Sequence, residues 1–373
     1  MIYFDNSATT QPDSEVIRTF SAASASFFAN PSSLHGLGIE ADRLLERSRM
    51  QVAELAGMRD GTVVFTSGGT EANNQALFGL ARANAGHGKK ILMSSVEHPS
   101  VLNTADRLRC EGFDVVTVAA GPDGVLDLSD LEEKLTADTI VVSVMHVNNE
   151  TGAVQPLEQA GRLIRQASPR AVFHSDIVQS FGKLPIPAGP DAISLSAHKF
   201  HGLKGSGALI LKKNIHILPY LFGGGQQGGL RSGTVPVAHA AALAKAMRLA
   251  HESMDRTPYR EWRDELIRFF GNFEKIRVIG GTDTAPHILS VAVRGIRGEV
   301  AVNALQEHGI YVSTSSACSS RSRRESHVLQ AMKLREDFRH GVIRLSFGRQ
   351  NKLEEITRFK EVFAGFMETI ERV

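Results

Sequence analysis

The chain has 373 residues, of which 42% are hydrophobic and 22% are charged, a composition that excludes an intrinsically disordered protein. The formal net charge of +2 is too close to neutral for a protein that coats nucleic acid or binds a membrane through a polybasic surface. Only two cysteines are present, Cys110 and Cys318, and their wide separation excludes a disulfide framework and a zinc cluster.

The N-terminal segment shows no export signal. Residues 1–7, MIYFDNS, lack the basic and apolar regions of a signal peptide, and no apolar run approaches the length of a membrane span. We therefore expect an unexported protein of the reducing cytoplasm that has no membrane partner.

Residues 60–212 alternate between short β-branched runs and helical stretches. Such alternation predicts an α/β fold with a mostly parallel sheet that is covered by helices on both faces. Ligands of such folds bind at the carboxyl ends of the strands. The predicted strands lie at 62–65, 90–93, 114–118, 139–144, 171–173, 192–195 and 208–211.

The length predicts two domains, at about 150 residues per domain. Residues 235–270 are predicted to form long helices, with a hinge at Thr257-Pro258 into a smaller α+β domain. That domain is predicted to hold strands at 287–293 and 342–347 and helices near 299–308 and 351–372. The expected boundaries are 1–14 for an N-terminal arm that packs with the small domain, 15–256 for the large domain and 257–373 for the small domain.

The first predicted strand runs into a glycine-rich turn, TSGGTEANN at 66–74, and a helix follows from Ala76. Glycine lets the backbone approach a ligand closely, and a helix N-terminus offers free N–H groups to an anion. The turn therefore predicts a phosphate site, although a capped turn without a ligand explains this segment alone equally well. It matches neither G-x-x-x-x-G-K-[ST] nor G-x-G-x-x-G, which argues against a nucleoside triphosphate or a dinucleotide.

Three further strand ends carry polar side chains. His98 follows the strand at 90–93 and precedes a proline suited to the first position of a helix. Asp176 and Gln179 follow the strand at 171–173, and Lys199 follows the strand at 192–195. Taken singly, His98 is more often a packing residue, Asp176 a helix cap and Lys199 an ordinary lysine past a strand end. Burial lowers the pKa of a lysine, however, and a neutral amine can attack a carbonyl carbon.

Together, an anion site, an imidazole, a carboxylate and a lysine at one edge of one sheet predict pyridoxal 5′-phosphate as the cofactor. This cofactor carries a phosphate, an aldehyde that bonds to a lysine amine, and a basic nitrogen in a flat ring. Asp176 is predicted to keep the ring nitrogen protonated, and Gln179 to donate a hydrogen bond to the phenolic oxygen. We predict no metal site, because His198 and His201 lack an accompanying H-E-x-x-H pattern.

With these residues identified, the chain resembles the class V, fold type I, pyridoxal-phosphate enzymes, and among them the cysteine desulfurases of the NifS/IscS group. The resemblance covers nearly the whole chain in the order of the family. The matching motifs are YFDNSATT at 3–10, NPSSLH at 30–35, TSGGTEANN at 66–74, EH at 97–98, MHVNNETG at 145–152, SDIVQ at 175–179, SAHK at 196–199, RSGTVP at 231–236, SSACSS at 315–320 and IRLS at 343–346.

The resemblance implies a role for each matching residue. Lys199 would bind the aldehyde covalently, and His98 would stack on the ring and move protons. Asn149 and Arg344 would hold the α-carboxylate of the substrate, a task that suits the planar fork of arginine, although a structural ion pair remains an alternative for Arg344. The phosphate would be bound by Gly69, Thr70, Ser196 and His198, with Thr234 contributed by the second subunit of a homodimer.

Cys318 decides the reaction that the resemblance implies. Its thiolate would attack the sulfur of cofactor-bound L-cysteine, leaving L-alanine and a persulfide on Cys318. A free cysteine has a pKa of about 8.5, so nearby positive charge favours the thiolate. Arg321, Arg323 and Arg324 follow Cys318, and they form either a solvated charged loop or a group that helps the thiolate or docks a sulfur acceptor. Cys110 lies in a helical pattern and is expected to be structural.

The sequence after Cys318 is more basic than the loop typical of the group, and the chain stops at Val373 without the longer tail by which IscS-like members engage the iron–sulfur scaffold. We therefore expect a short NifS-like form. Such a form passes sulfur to a dedicated acceptor protein, such as an enzyme that thiolates tRNA, without binding nucleic acid directly. Iron–sulfur assembly remains the other acceptor pathway.

Two other functions remain open. Another class V enzyme, an aminotransferase or a selenocysteine lyase, would make Cys318 incidental or use it for selenium. A non-catalytic sulfur-relay scaffold with a degenerate cofactor site would be a colourless protein.

Overall fold

The computed structural model describes residues 1–281, 284–314 and 325–371. The strands in these ranges are β1 Ile2–Tyr3, β2 Thr62–Thr66, β3 Lys90–Ser94, β4 Asp114–Val118, β5 Thr139–Ser143, β6 Val172–Asp176, β7 Ala192–Ser196, β8 Gly207–Leu211, β9 Ile276–Ile279, β10 Ile288–Val293, β11 Ile310–Tyr311, β12 Ser313–Thr314 and β13 Val342–Ser346. The helices are α1 Ser14–Ser26, α2 Gly36–Leu55, α3 Gly69–Ala83, α4 Pro99–Cys110, α5 Leu128–Lys134, α6 Leu157–Ala167, α7 Val237–Ser253, α8 Tyr259–Phe270, α9 Gly298–Glu307, α10 His327–Ala331, α11 Glu336–Arg339 and α12 Leu353–Glu371. Within the same ranges, every helix is too short or too polar to cross a membrane.

The large sheet has seven strands in the order β2-β8-β7-β6-β5-β3-β4. Strand β8 runs antiparallel to both of its neighbours, and the remaining neighbours are parallel. Parallel neighbours need a crossover connection. Helices lie in the connections from β3 to β4, from β3 to β5 and from β5 to β6, whereas residues 177–191 connect β6 to β7 without a helix. The predicted α/β fold with a mostly parallel sheet is confirmed.

Both faces of the large sheet are covered by helices. Successive side chains of a strand point to opposite faces. Val63 and Phe65 of β2 accordingly pack with buried residues of α2 and α7, whereas Val64 packs with residues of α3 and α4. Burial on both faces explains why these strands are continuous apolar runs rather than alternating ones.

A second, antiparallel sheet has the order β12-β13-β10-β9 and packs against α8, α9 and α12. The N-terminal segment joins this unit, because β1 pairs in parallel with β11 and Phe4 is fully buried beside Phe347, with ring centroids 5.3 Å apart. A few residues later the segment contacts the large unit, where the backbone N–H of Thr10 donates to the carbonyl of His198 at 2.8 Å. The domain boundaries that we expect at 14/15 and 256/257 stay predictions.

Strand β6 is longer than we predicted. It continues through Asp176, although the apolar run ends at Phe173. The extension is possible because the buried ring of His174 lies within hydrogen-bond distance, 2.9 Å, of the hydroxyls of both Ser143 and Ser194 on the neighbouring strands. Asp176 therefore ends the strand instead of following it.

Candidate active site

A cavity of about 200 Å³ lies where β2, β3, β5, β6 and β7 end, beside β13 of the second sheet. Of the described site residues that we predict, Thr234 alone is outside its lining, and Cys318 is not among the described residues. A larger groove of about 790 Å³ beside α2 is lined mainly by apolar side chains such as Met58 and Ile186, and, in the described part of the chain, by none of the predicted residues. Ten predicted site residues line the smaller cavity: Gly69, Thr70, His98, Asn149, Asp176, Gln179, Ser196, His198, Lys199 and Arg344.

The turn between β2 and α3 leaves room for a ligand at the helix N-terminus. Gly68 precedes α3 at φ +150° and offers no side-chain cap. A Cβ on Gly69 would lie 2.8 Å from Cγ2 of Val178, so only glycine fits there without movement. Gly69 and Thr70 open the helix and line the cavity, which turns the positive end of the helix dipole towards it.

The carboxylate of Asp176 is held by two donors. Its Oδ2 accepts from Nδ2 of Asn73 at 2.7 Å, and its Oδ1 accepts from the backbone N–H of Val178 at 2.9 Å. Nδ2 of Asn73 also donates to Oγ of Ser100 at 2.9 Å. Oγ of Ser100 lies 2.8 Å from Nδ1 of His98, so one hydrogen-bonded network links Asp176 to His98.

His98 caps α4 through its ring. Its Nδ1 accepts from the backbone N–H of Ser100 at 3.1 Å, which assigns the proton of the neutral ring to Nε2. Burial lowers the pKa of His98, and the positive charges of Lys199 and His327 act in the same direction, whereas Asp176 opposes them. The imidazole is therefore expected to be neutral at physiological pH.

Lys199 ends a 3₁₀ turn that follows β7. Its Nζ donates to the carbonyls of Ser7 at 2.6 Å and Ala8 at 2.8 Å, so the N-terminal segment forms one wall of the cavity. Nε2 of Gln179 donates to the same Ser7 carbonyl at 3.0 Å. The second N–H of that amide is the donor available for the predicted bond to a phenolic oxygen.

A second lysine, Lys183, hydrogen-bonds to the backbone of Lys199. The buried Nζ of Lys183 donates to the carbonyl of Lys199 at 2.8 Å and to that of Gln179 at 3.4 Å. Burial lowers the pKa of Lys183 to about 7, and the charge on Lys199 adds to the effect. The sequence predicts no role for Lys183, Ser7 or Asn73. Ser7 and Asn73 contact Lys199 and Asp176 across 192 and 103 positions, and no motif marks Lys183.

Arg344 on β13 is 4% exposed and contacts two other parts of the protein, a backbone carbonyl and a carboxylate. Its Nη1 donates to the carbonyl of Asn149 at 2.8 Å, and its Nη2 pairs with Asp5 at 2.8 Å. The ion pair that we held open as an alternative therefore exists. Nε of the same guanidinium is buried and has no hydrogen-bond partner among the described residues, so it is one of the N–H donors that remain for a ligand.

Ser196 and His198 flank Ala197 at the end of β7. Nδ1 of His198 lies 3.1 Å from Oγ1 of Thr9, and burial, reinforced by the charges of nearby lysines, lowers the pKa of His198 to about 4. Thr234, by contrast, lies on an exposed part of a loop, outside the cavity of its own chain. Its contribution to the site of a second subunit stays a prediction.

Cys318, Arg321, Arg323 and Arg324 lie outside the described residues. Cys110 is the last residue of α4 and is exposed. Cys110 thus lies in a helix, as we expect, but on its solvent face, whereas residues such as Leu108 form the buried face.

Four residues that line the cavity have a buried polar atom without a hydrogen-bond partner in the described ranges: Ser7 Oγ, Asn73 Oδ1, Gln179 Oε1 and Arg344 Nε. Each such atom costs about 1–3 kcal/mol if it stays unpaired, so the cavity suits a polar ligand. The groups around it include a helix N-terminus for an anion, a carboxylate for a ring N–H and an amine for an aldehyde. These groups fit pyridoxal 5′-phosphate.

Comparison with known proteins identifies the family. The family described as "Aminotransferase class-V" matches residues 2–359, a range that includes every residue lining the cavity. The chain belongs to the class-V aminotransferase family. Cysteine desulfurases with this fold use pyridoxal 5′-phosphate, so the predicted family and cofactor are both confirmed.

Individual members of this family match the chain from end to end. The chain is 42% identical to a NifS/IcsS protein homolog of Lactobacillus delbrueckii subsp. bulgaricus, over 98% of both chains. It is 37% identical to cysteine desulfurase IscS 1 of Archaeoglobus fulgidus, over 99% of this chain and 98% of that one. Among solved structures, a NifS-like protein superimposes with a TM-score of 0.92 at 35% identity, over 99% of each chain.

Proposed function

We infer that the chain is a cysteine desulfurase that uses pyridoxal 5′-phosphate to convert L-cysteine to L-alanine, and we propose that the sulfur leaves as a persulfide on Cys318. One observation carries the inference. Lys199, Asp176 and Arg344 line one cavity together with the N-terminus of α3, in a chain whose relatives include cysteine desulfurases of 37% identity over nearly their whole length.

The residues that would hold the cofactor surround the cavity. Lys199 would bind the aldehyde, and Asp176 would accept the hydrogen bond of the protonated ring nitrogen. The phosphate would lie against the N–H groups that open α3 and the side chains of Thr70, Ser196 and His198, with Thr234 of a second copy of the chain beside it. When bound, the cofactor supplies an electron sink that stabilises negative charge at the Cα of the substrate.

The chain supplies the groups that bind L-cysteine and move its protons. Arg344 is oriented by Asp5 and by the carbonyl of Asn149, so its free Nε can donate to the substrate carboxylate without reorganisation, alongside the Asn149 side chain. Nζ of Lys199 takes the proton from the substrate Cα. Nε2 of His98 carries the proton that a neutral imidazole can donate to the departing product.

Sulfur transfer then proceeds at Cys318. Its thiolate attacks the substrate sulfur, and an S–S bond forms as the Cβ–S bond breaks. The electron pair of the broken bond stays on Cβ, which takes up a proton to become the methyl group of alanine. The two flanks of residues 315–324 support this role, because Ser313 pairs with Arg344 across β12 and β13, and Ser326 bonds to Glu150, which follows Asn149.

Replacement of Cys318 tests the reaction. Cys318→Ala is expected to abolish release of sulfide and alanine from L-cysteine under reducing conditions, while the cofactor stays bound. Cys110→Ala is the matched control, because it removes the exposed thiol at the end of α4, and it is expected to react like the wild type. Undiminished turnover in Cys318→Ala would instead favour another class V activity, such as that of an aminotransferase or a selenocysteine lyase.

Replacement of Lys199 tests the cofactor attachment. The purified protein is expected to show the visible absorption band of pyridoxal phosphate bound to a lysine, and Lys199→Ala is expected to lose it. Lys183→Ala is expected to retain the band, since Nζ of Lys183 donates to the backbone carbonyls of Lys199 and Gln179, which take no part in the attachment. A colourless wild-type protein would support the non-catalytic sulfur-relay scaffold.

The persulfide sulfur is proposed to pass to an acceptor protein, in tRNA thiolation or iron–sulfur assembly, in the cytoplasm.

We also propose that the enzyme is a homodimer. Large apolar side chains such as Phe28, Leu34 and Phe222 are 73%, 95% and 79% exposed, and we propose that the second copy of the chain covers them. Analytical ultracentrifugation is expected to give twice the chain mass, and a monomer that retains full activity would contradict a shared site.

A further inference from the structure

Two polar contacts hold the chain just after residues 315–324. Oγ of Ser326 donates to Oε2 of Glu150 at 2.5 Å, and both residues are buried. Nε2 of His327 lies 2.9 Å from the carbonyl of Glu97, and because a carbonyl only accepts, the ring N–H donates. Ser326 and His327 are thus bonded to the neighbours of Asn149 and His98, two residues that line the cavity.

The acceptor residues are themselves held rigidly. The backbone N–H of Glu150 donates to Oδ1 of Asn148 at 2.9 Å, and the carbonyl of Glu150 accepts from Ser290 on β10. Oε1 of Glu97 accepts from Ser94 at 2.7 Å and from the backbone N–H of Met145 at 2.6 Å. A segment bonded to these groups therefore has a defined position relative to the cavity.

We propose that Ser326 and His327 are positioning residues for sulfur transfer, which hold the C-terminal flank of the Cys318 segment against the cavity. The proposal rests on the proposed function of Cys318. Reacting groups must meet within a fraction of an ångström, and misplacement by about 1 Å costs up to about a hundredfold in rate. Neither contact involves a group that is proposed to bind L-cysteine, so their loss should slow persulfide formation and leave substrate affinity nearly unchanged.

The test compares wild-type holoenzyme with Ser326→Ala, Ser326→Thr and the control Asp127→Ala in single turnovers with L-cysteine. Ser326 also caps α10, accepting from the N–H of Leu329 at 3.2 Å. Asp127 caps α5 in the same way, accepting from Ser129 at 2.9 Å, so the control removes a cap away from the cavity. Persulfide on Cys318 is measured by mass spectrometry, and substrate binding by the change in cofactor absorption.

Ser326→Ala is expected to slow persulfide formation about tenfold, while the cysteine concentration that gives half of the absorption change stays within about twofold of wild type. Ser326→Thr keeps the hydroxyl and should restore most of the rate, and Asp127→Ala should leave it unchanged. Without substrate, amide hydrogen exchange of residues 325–331 should be faster in Ser326→Ala than in Asp127→Ala.

A wild-type rate of persulfide formation in Ser326→Ala overturns the positioning role, and so does an equal loss in Asp127→Ala. If Ser326→Ala does not fold, His327→Phe decides, because it removes the second contact and keeps the cap of α10; a wild-type rate there overturns the proposal. A wild-type enzyme that forms no persulfide on Cys318 overturns the proposed function instead, so the two failures are distinguishable.

Discussion

Burial controls the charge of several single residues beside the cavity. Glu97 is fully buried, and burial raises its pKa to about 8, with a further rise from the charge of Asp176. Its Oε2 is without a hydrogen-bond partner in the part of the chain that the structure describes, as suits a neutral acid better than a carboxylate. Lys183 shows the converse, since burial lowers its pKa to about 7.

Glu97→Gln is predicted to remove one contribution to the pH dependence of stability. Between pH 4.5, the ordinary pKa of this carboxyl, and about pH 8, the folded state holds a proton that the unfolded state has lost. The free energy of unfolding contributed by Glu97 is therefore full below this window and falls as pH rises through it, by about 1.4 kcal/mol per pH unit.

Denaturation of the holoenzyme in urea at several pH values between 5 and 8 measures the effect. The stability of the wild type relative to Glu97→Gln should decline with rising pH. The exposed Glu54→Gln serves as the control and should show no such decline. A constant difference between wild type and Glu97→Gln would mean that Glu97 is ionised in the folded protein.

At the scale of elements, the junction of β2 and α3 combines a conformational and a steric requirement. Gly68 adopts φ +150°, which residues with a Cβ rarely adopt, and α3 then begins at Gly69. Gly207 on β8 lies so close that a Cβ on it would be 2.6 Å from Cα of Gly68. Three glycines thus let a strand, a helix and a neighbouring strand meet where the phosphate is proposed to bind.

Gly69→Ala is predicted to weaken retention of pyridoxal 5′-phosphate by about tenfold or more, because the new methyl group lies 2.8 Å from Val178 and shifts the start of α3. The loss is measured from cofactor absorption after dialysis. In Gly86→Ala, the control, the added Cβ would have no described atom within 4 Å, so retention should match wild type. Equal retention by both variants would show that the start of α3 does not hold the phosphate.

At the scale of the whole molecule, the N-terminal segment connects the two sheets to the active site. Phe4 lies in the core of the second sheet, Ser7 and Ala8 accept from Lys199, and Oγ1 of Thr10 donates to the carbonyl of His198 at 2.9 Å. The backbone N–H of Ser7 also donates to Oγ of Ser346 at 2.8 Å. Packing of Phe4 therefore affects the geometry around Lys199.

Phe4→Ala is predicted to destabilise the protein by about 3–5 kcal/mol, because it leaves a cavity in a close-packed core. It should also shift the absorption of the bound cofactor, since Ser7 and Ala8 lose their support. Leu353→Ala, which truncates a side chain that is 52% exposed, should do neither. Thermal unfolding and absorption spectra of the two variants decide the matter; an unchanged melting temperature in Phe4→Ala would contradict the packing argument.

Much of the fold and of the site could be predicted because its signals are local. The alternation of strand and helix patterns is read within windows of about ten residues, and parallel strands bring their carboxyl ends to one edge. The glycine-rich turn at 66–74, His98, Asp176 and Lys199 are predicted in this way, and Gly69 of that turn lines the cavity with the other three. The end of β6 was missed because the partners of His174 lie on other strands.

The sequence by itself determined the α/β fold, the family and the residues at the strand ends, because these depend on local pattern and on motifs that keep their order. Only the tertiary structure decided which distant residues complete the site. The Ser7 carbonyl reaches Lys199 across 192 positions, and Ser326 reaches Glu150 across 176. Such contacts leave no periodic or motif signal, since they arise only when packing of the two sheets and the N-terminal segment brings those backbones together.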